Sequence, residues 1–363
     1  MPLTLHTAPV VLAMPGAALR DGAVAVDGDR IAAVGTSAEL TARFQDARVR
    51  RWRGILTPGL VNAHARLQYT DFGHLAESGL PLAAWSAAVE RERAGYTEAR
   101  WQESARRGVH LMLKSGTTAV GDVVTEPAVL VPVARSGIGG ISYVEPSGEA
   151  DTWRARLTGT LDAGSSRTLG VASGAPLLSA GLAIARDRGL RFQALAPEHG
   201  ELDLLGPDTH AVFATRLDDE ARALLRHRTV PAALCVRAGR LLDAADAPVG
   251  ALLTEHNPLA LGTGSLAETP SLDLWEEAAA ARALALAQGY TAPDLDERLV
   301  TAATVGGATA LGLPDAGTLR PDTRADFAVF DVPTDGDPHT ALITHGAGNC
   351  IGTVLAGRLV HRR

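Results

Sequence analysis

Pro58-Gly59-Leu60-Val61-Asn62-Ala63-His64-Ala65-Arg66-Leu67-Gln68-Tyr69 is the stretch on which the reading of this chain turns. Leu60 to Ala63 is a short apolar strand entered through a Pro-Gly corner. The chain then carries an imidazole at 64 and a guanidinium at 66. Residues two apart on a strand point to the same face, so His64 and Arg66 leave it side by side. An imidazole has a lone pair to give a metal; a guanidinium stays cationic and has none.

Working outward, the chain alternates. Trp85 to Leu113 is read as a long amphipathic helical stretch ending near Ser115-Gly116, and Thr117 to Val124 as a strand. Apolar runs follow at Ile138 to Glu145, Thr168 to Ala172, Leu190 to Leu195, Ala211 to Thr215, Val230 to Cys235 and Pro258 to Gly262, mostly separated by helical patterns. Leu272 to Gln288, rich in alanine and leucine, is a helix, and Asp151 to Arg167 reads as a loop. Regular β/α alternation over about 250 residues predicts an α/β fold, a (β/α)8 TIM barrel.

Both ends of the chain look different. Gly22 to Val26 and Arg30 to Val34 flank Asp27-Gly28-Asp29, a hairpin signal. Asp326 to Asp331 and Cys350 to Val360 are strand-like, with Ala356-Gly357-Arg358 as a tight turn. Residues 1–55 and 315–363 are therefore expected to pair into one composite β-sandwich domain, and residues 56–314 to form the barrel.

Composition narrows the function. The chain has 363 residues, 46% of them hydrophobic, and a formal net charge of -7. No basic run accumulates positive charge, which argues against nucleic acid as a partner. No run approaches the ~18 apolar residues of a membrane span, so no membrane partner is expected. The first residues lack the pattern of a signal peptide, and Cys235 and Cys350 are too few for a disulfide framework, so a cytoplasmic location is expected. Lys114 is the single lysine, which excludes Schiff-base chemistry elsewhere in the chain.

Four motifs carry a resemblance. They are Thr57-Pro58-Gly59-Leu60-Val61-Asn62-Ala63-His64, Lys114-Ser115-Gly116-Thr117-Thr118-Ala119-Val120-Gly121-Asp122, Leu261-Gly262-Thr263-Gly264-Ser265 and the tail Ala325-Asp326-Phe327-Ala328-Val329. Through them the chain resembles the amidohydrolase superfamily, in the branch of aminodeoxyfutalosine, cytosine-like and S-adenosylhomocysteine-type deaminases, over nearly its whole length. The resemblance implies a metal bound by His-x-His, two further histidines and a carboxylate. His64 matches the first ligand and Arg66 stands at the second. Ala194, Phe213 and Gly264 fall at the others, Pro197 at the acid, and Gly174 at a substrate-contacting histidine. His64 by itself cannot hold zinc, which needs about three protein ligands. The expectation is therefore no metal and no cofactor. A carboxylated-lysine bridge fails as well, because Lys114 ends a helix.

The residues expected at the barrel mouth are His64, Arg66 and Glu145 as the catalytic set, with Gln68, Tyr69, His74, Glu198, His199, Arg237 and Ser265 binding substrate, and Glu268 beside them with no role assigned. Arg66 either clamps a carboxylate or plugs the vacated cavity through a paired acid, and Glu145, ending an apolar strand, is a general base or that partner. These groups suggest a metal-independent enzyme on a small anionic, carboxylate-bearing metabolite. Its expected step is an elimination of the lyase or dehydratase type. Family analogy points to menaquinone- or chorismate-related metabolism. Two alternatives stand beside it: a non-catalytic pseudoenzyme or ligand-binding protein, and a divergent metal-dependent deaminase or hydrolase using Glu198, His199 and His210. A homodimer is expected from the relatives' habit.

Overall fold

The structure is a computed structural model that describes residues 3–146, 150–213, 217–243 and 246–363. Five strands come first: β1 (Thr4–Val11), β2 (Leu19–Asp27), β3 (Arg30–Thr36), β4 (Arg48–Arg51) and β5 (Ile55–Pro58). β2 and β3 pair antiparallel across a turn in which Gly28 takes a φ of +60°.

Eight parallel strands follow: β6 (Leu60–Ala65), β7 (Thr117–Val124), β8 (Gly139–Val144), β9 (Leu169–Ser173), β10 (Phe192–Leu195), β11 (Thr209–Val212), β12 (Ala232–Leu234) and β13 (Leu259–Leu261). Each pairs with the next, and a parallel bridge between Ala65 and Gly264 brings the end of β13 back to β6. β14 (Phe327–Phe330), β15 (Cys350–Leu355) and β16 (Arg358–Arg362) then return to the N-terminal strands. β14 lies antiparallel on β5, which completes a separate eight-stranded sheet in the order β16-β15-β14-β5-β1-β2-β3, with β4 on β1. The fold is α/β, a parallel barrel with a second sheet built from both ends of the chain.

The sequence explains these choices locally. Every residue of β7, Thr-Thr-Ala-Val-Gly-Asp-Val-Val, is buried, as expected of a strand covered on both faces. β8 can lie against it because Gly140, at φ +107°, has no Cβ; one placed there would sit 2.0 Å from the Val120 carbonyl oxygen. Alternation on β10 divides two cores. Phe192 and Ala194 pack outward among helix residues such as Leu178 and Leu182, while Leu195 faces the barrel interior with Val212 and Tyr143.

Three expectations need correction. Trp85 to Leu113 is two helices, Leu82–Ala94 and Glu98–Lys114. Gly95 ends the first, and the Thr97 side chain caps the second by accepting from the Arg100 N–H. The stretch read as a loop holds the helix Ala150–Ala163. Trp153, Leu157 and Leu161, four residues apart, form its apolar stripe on the outer core. The strand expected to reach Thr215 is described as β11 to Val212; Ala214 and Thr215 lie outside the described residues. Among the described residues no helix is long and apolar enough to cross a membrane.

Candidate active site

Barrel strands aim their C-terminal ends at one face, where loop side chains converge. On that face is a cavity of about 540 Å³, within the range of small-molecule sites. Its walls include Arg66, Tyr69, Trp85, Glu145, Trp153, Phe213 and Glu268. Arg66 follows β6 and Glu145 follows β8, so the two arrive at the same mouth from strands separated only by β7. Arg66 Nη1 donates to Glu145 Oε2 at 2.5 Å, and both side chains are largely buried. Burial would depress the Arg66 pKa, but the Glu145 carboxylate, helped by Tyr69 and Glu268, outweighs it and raises the pKa above its ordinary value. Arg66 is thus a fixed cation. Burial pushes the Glu268 carboxyl up, against the pull of Arg66.

Aromatic rings surround this pair. Trp85, on the helix Leu82–Ala94, donates from Nε1 to the Ala267 carbonyl at 2.9 Å, tying that helix to the loop after β13. Tyr69 stacks on Phe72 at 5.2 Å. Phe213 holds a φ of +53°, uncommon for a bulky residue, and sets its ring edge-on to His64 at 5.0 Å.

Beneath the cavity lies a buried polar chain. His64 Nδ1 donates to Gln193 Oε1 at 2.9 Å. Gln193 Nε2 donates to His210 Nε2 at 2.7 Å and to the Ala63 carbonyl at 3.1 Å. Burial first, and Arg66 next, press the His64 pKa down to about 3, with Gln193 opposing, so the ring is neutral. Burial brings His210 down to about 3 as well. His64 Nε2 is buried with no partner among the described residues.

Of the ten residues given a catalytic or substrate-binding role, the structure brings Arg66, Glu145 and Tyr69 to the cavity wall, with His64 just below; Glu268, expected at the mouth without a role, lies on the wall too. The structure directs the other six of the ten elsewhere, each for a visible reason. Gln68 is spent on the loop after β7, donating to Thr125 Oγ1 at 2.6 Å and accepting from the N–H groups of Thr125 and Glu126. His74 is exposed, 3.3 Å from Glu92. Glu198 is exposed and caps the short helix His199–Leu202. His199 is exposed and faces Asp218 at 3.6 Å. Arg237 binds the fully buried Glu277 at 2.9 Å and Glu276 at 2.5 Å, a structural pair. Ser265 is buried beside the cavity, its N–H given to Glu268.

Trp153 and Gln193 went unseen in the sequence. Trp153 lay in a stretch read as a loop. Gln193 left a signal, one amide inside the apolar run Phe192-Gln193-Ala194-Leu195. The family pattern falls on Ala194, which the pleat turns outward; Leu195 is the strand's contribution to the cavity.

Comparisons with known proteins fit this architecture. A profile described as "Amidohydrolase family" matches residues 196–360, and one described as "Imidazolonepropionase-like composite domain, bacteria" matches residues 22–44. The 5-methylthioadenosine/S-adenosylhomocysteine deaminase of Nitratidesulfovibrio vulgaris is 28% identical over 367 residues, 86% of this chain and 80% of the relative. The 5'-deoxyadenosine deaminase of Methanothermobacter thermautotrophicus is 27% identical over 410 residues, 99% of this chain and 93% of the relative. The crystal structure of an adenosine deaminase from Xanthomonas campestris with bound zinc superposes with a TM-score of 0.86 at 24% identity, covering 99% of this chain and 93% of that one.

These names correct the expected chemistry. Relatives that run nearly the whole length of the chain are deaminases, so the lyase or dehydratase step falls, and with it the place in menaquinone- or chorismate-related metabolism. The zinc in the Xanthomonas structure raises the question whether the present residues fit such an ion. They do not. Among the described residues no three His, Cys, Asp or Glu side chains gather in a metal-holding group. His64 offers one lone pair, Arg66 offers a positive charge, Glu145 is held by Arg66, and Leu195, Phe213 and Gly264 offer no side-chain donor. The barrel closed at Ala65 and Gly264, the second sheet made by both ends, the profile match over residues 196–360 and the near full-length relatives point one way: the chain is similar to the amidohydrolase family in fold and in sequence.

Proposed function

We propose that the barrel-mouth cavity binds a small amino-heteroaromatic molecule of the nucleoside type, and that this chain is a ligand-binding member of the deaminase line in which the Arg66–Glu145 pair has replaced the metal ligands. The observation that carries this reading is that pair itself, closed at 2.5 Å in a cavity walled by Tyr69, Trp85, Trp153 and Phe213. Flat rings offer a heterocycle stacking surface, and carboxylates offer acceptors to its N–H groups. The same pair bears on ligand charge. A carboxylate set against the pair has to displace Glu145 before Arg66 can clamp it, so an uncharged heterocycle costs less to place there than an acidic group. The names of the near full-length relatives supply the ligand class: methylthioadenosine, S-adenosylhomocysteine and deoxyadenosine.

A second reading, a hydrolytic deaminase, is favoured by the length of the likeness and by the unpartnered Nε2 of His64. Calorimetric titration with 5′-methylthioadenosine and S-adenosylhomocysteine, run beside an assay for ammonia release, separates the two. Binding without turnover is the expected result. Steady ammonia release would move the conclusion to the second reading, and failure to bind either compound would remove the ligand class.

A further inference from the structure

Glu268 carries a carboxylate that the Arg66–Glu145 pair leaves unused. It lies on the loop after β13, is 8% exposed and lines the cavity. Its Oε2 accepts the Ser265 N–H at 2.6 Å, which pins the side chain. Gly264, at φ +67°, has no Cβ; one built there would stand 2.8 Å from that oxygen. The carboxylate therefore fills the room that a side chain at 264 would take. Among the described residues Glu268 makes no ion pair. Arg66 bonds directly to Glu145, and Arg93, the other guanidinium on the wall, is met by Glu90 and Glu126. The cavity thus has one oriented acceptor more than its own donors occupy.

Resting on the ligand class proposed above, we infer that Glu268 reads the exocyclic amino group of the ligand. One carboxylate oxygen is fixed by Ser265, and the other accepts an amino N–H. A 6-oxo ring presents a carbonyl lone pair to the same oxygen and is repelled. Glu268 is then a specificity-determining residue, supplied from the loop seven residues beyond the end of β13. The competing role is purely local: the Ser265–Glu268 bond closes a turn. Glu268→Gln separates the two roles, because the amide oxygen can still accept from the Ser265 N–H while the charge is lost and an N–H is gained.

The experiment is calorimetric titration of the full chain with 5′-methylthioadenosine and 5′-methylthioinosine, in wild type and E268Q, with melting curves to establish folding. Wild type should favour the amino compound by roughly 10- to 100-fold, the range for a hydrogen bond to a charged group. E268Q should bring the ratio close to one. E268D, which withdraws the carboxylate by one methylene, should do the same and serves if E268Q does not fold. A folded E268Q that keeps the full preference would overturn the inference and leave Glu268 as a turn residue. Equal binding of both compounds by wild type would overturn it while the ligand class stands. Binding of neither would remove the ligand class first, and this assignment with it.

Discussion

Arg66→Ala is expected to lower the free energy of unfolding by about 3 kcal/mol, read from the midpoint of a urea transition. The substitution does more than delete a contact. Glu145 and Glu268 both lie close enough to influence Arg66, and Glu145 raises the pKa of Glu268. Without the guanidinium, two carboxylates on the wall of one cavity are left with no cation bonded to either. Breaking a buried pair by deleting one partner costs ~3–5 kcal/mol; the side chains here retain 15% and 24% exposure, which places the loss at the lower end. Removing Arg66 and Glu145 together should recover part of it, because the unpaired charge goes as well. A loss under ~1 kcal/mol would mark the pair as an ordinary surface bridge.

Gly264→Asp is expected to cost a similar amount, about 3 kcal/mol, and to bring no metal with it. Residue 264 occupies the left-handed region at φ +67°, which aspartate tolerates at a cost of ~1–2 kcal/mol. Its Cβ would stand 2.8 Å from Glu268 Oε2 and 3.0 Å from the Ala238 Cβ. A second acid would then be buried against the first, with Arg66 already committed to Glu145. The check is a urea transition beside a zinc titration. A fully stable G264D that takes up zinc would show that the space at 264 remains a working metal position.

How far the sequence discloses this molecule depends on whether a feature is local. β7 is legible because Thr117 to Val124 is rich in β-branched residues, and the β2–β3 hairpin because Asp27-Gly28-Asp29 meets a turn's backbone demand. The side-by-side exit of His64 and Arg66 follows from the strand period, and Glu145 as Arg66's partner was one of two readings open from an apolar strand ending in an acid. Arg237 is different. Its partner Glu277 is 40 residues away on another helix, and nothing near Arg237 reveals it. Glu198 and His199 look available in sequence until a four-residue helix claims them. Gln193 shows the limit of a borrowed pattern: alignment selected Ala194, while the pleat of β10, set by Phe192 and Ala194 packing outward, gives the interior to its neighbours.

The most direct test of the account is the zinc content of protein expressed in zinc-supplemented medium and dialysed to constant composition. The donors gathered around His64 predict zinc well below one ion per chain, unchanged in His64→Ala. One zinc per chain in the wild type, lost in His64→Ala, would contradict the claim that an arginine–glutamate pair has taken the metal's place.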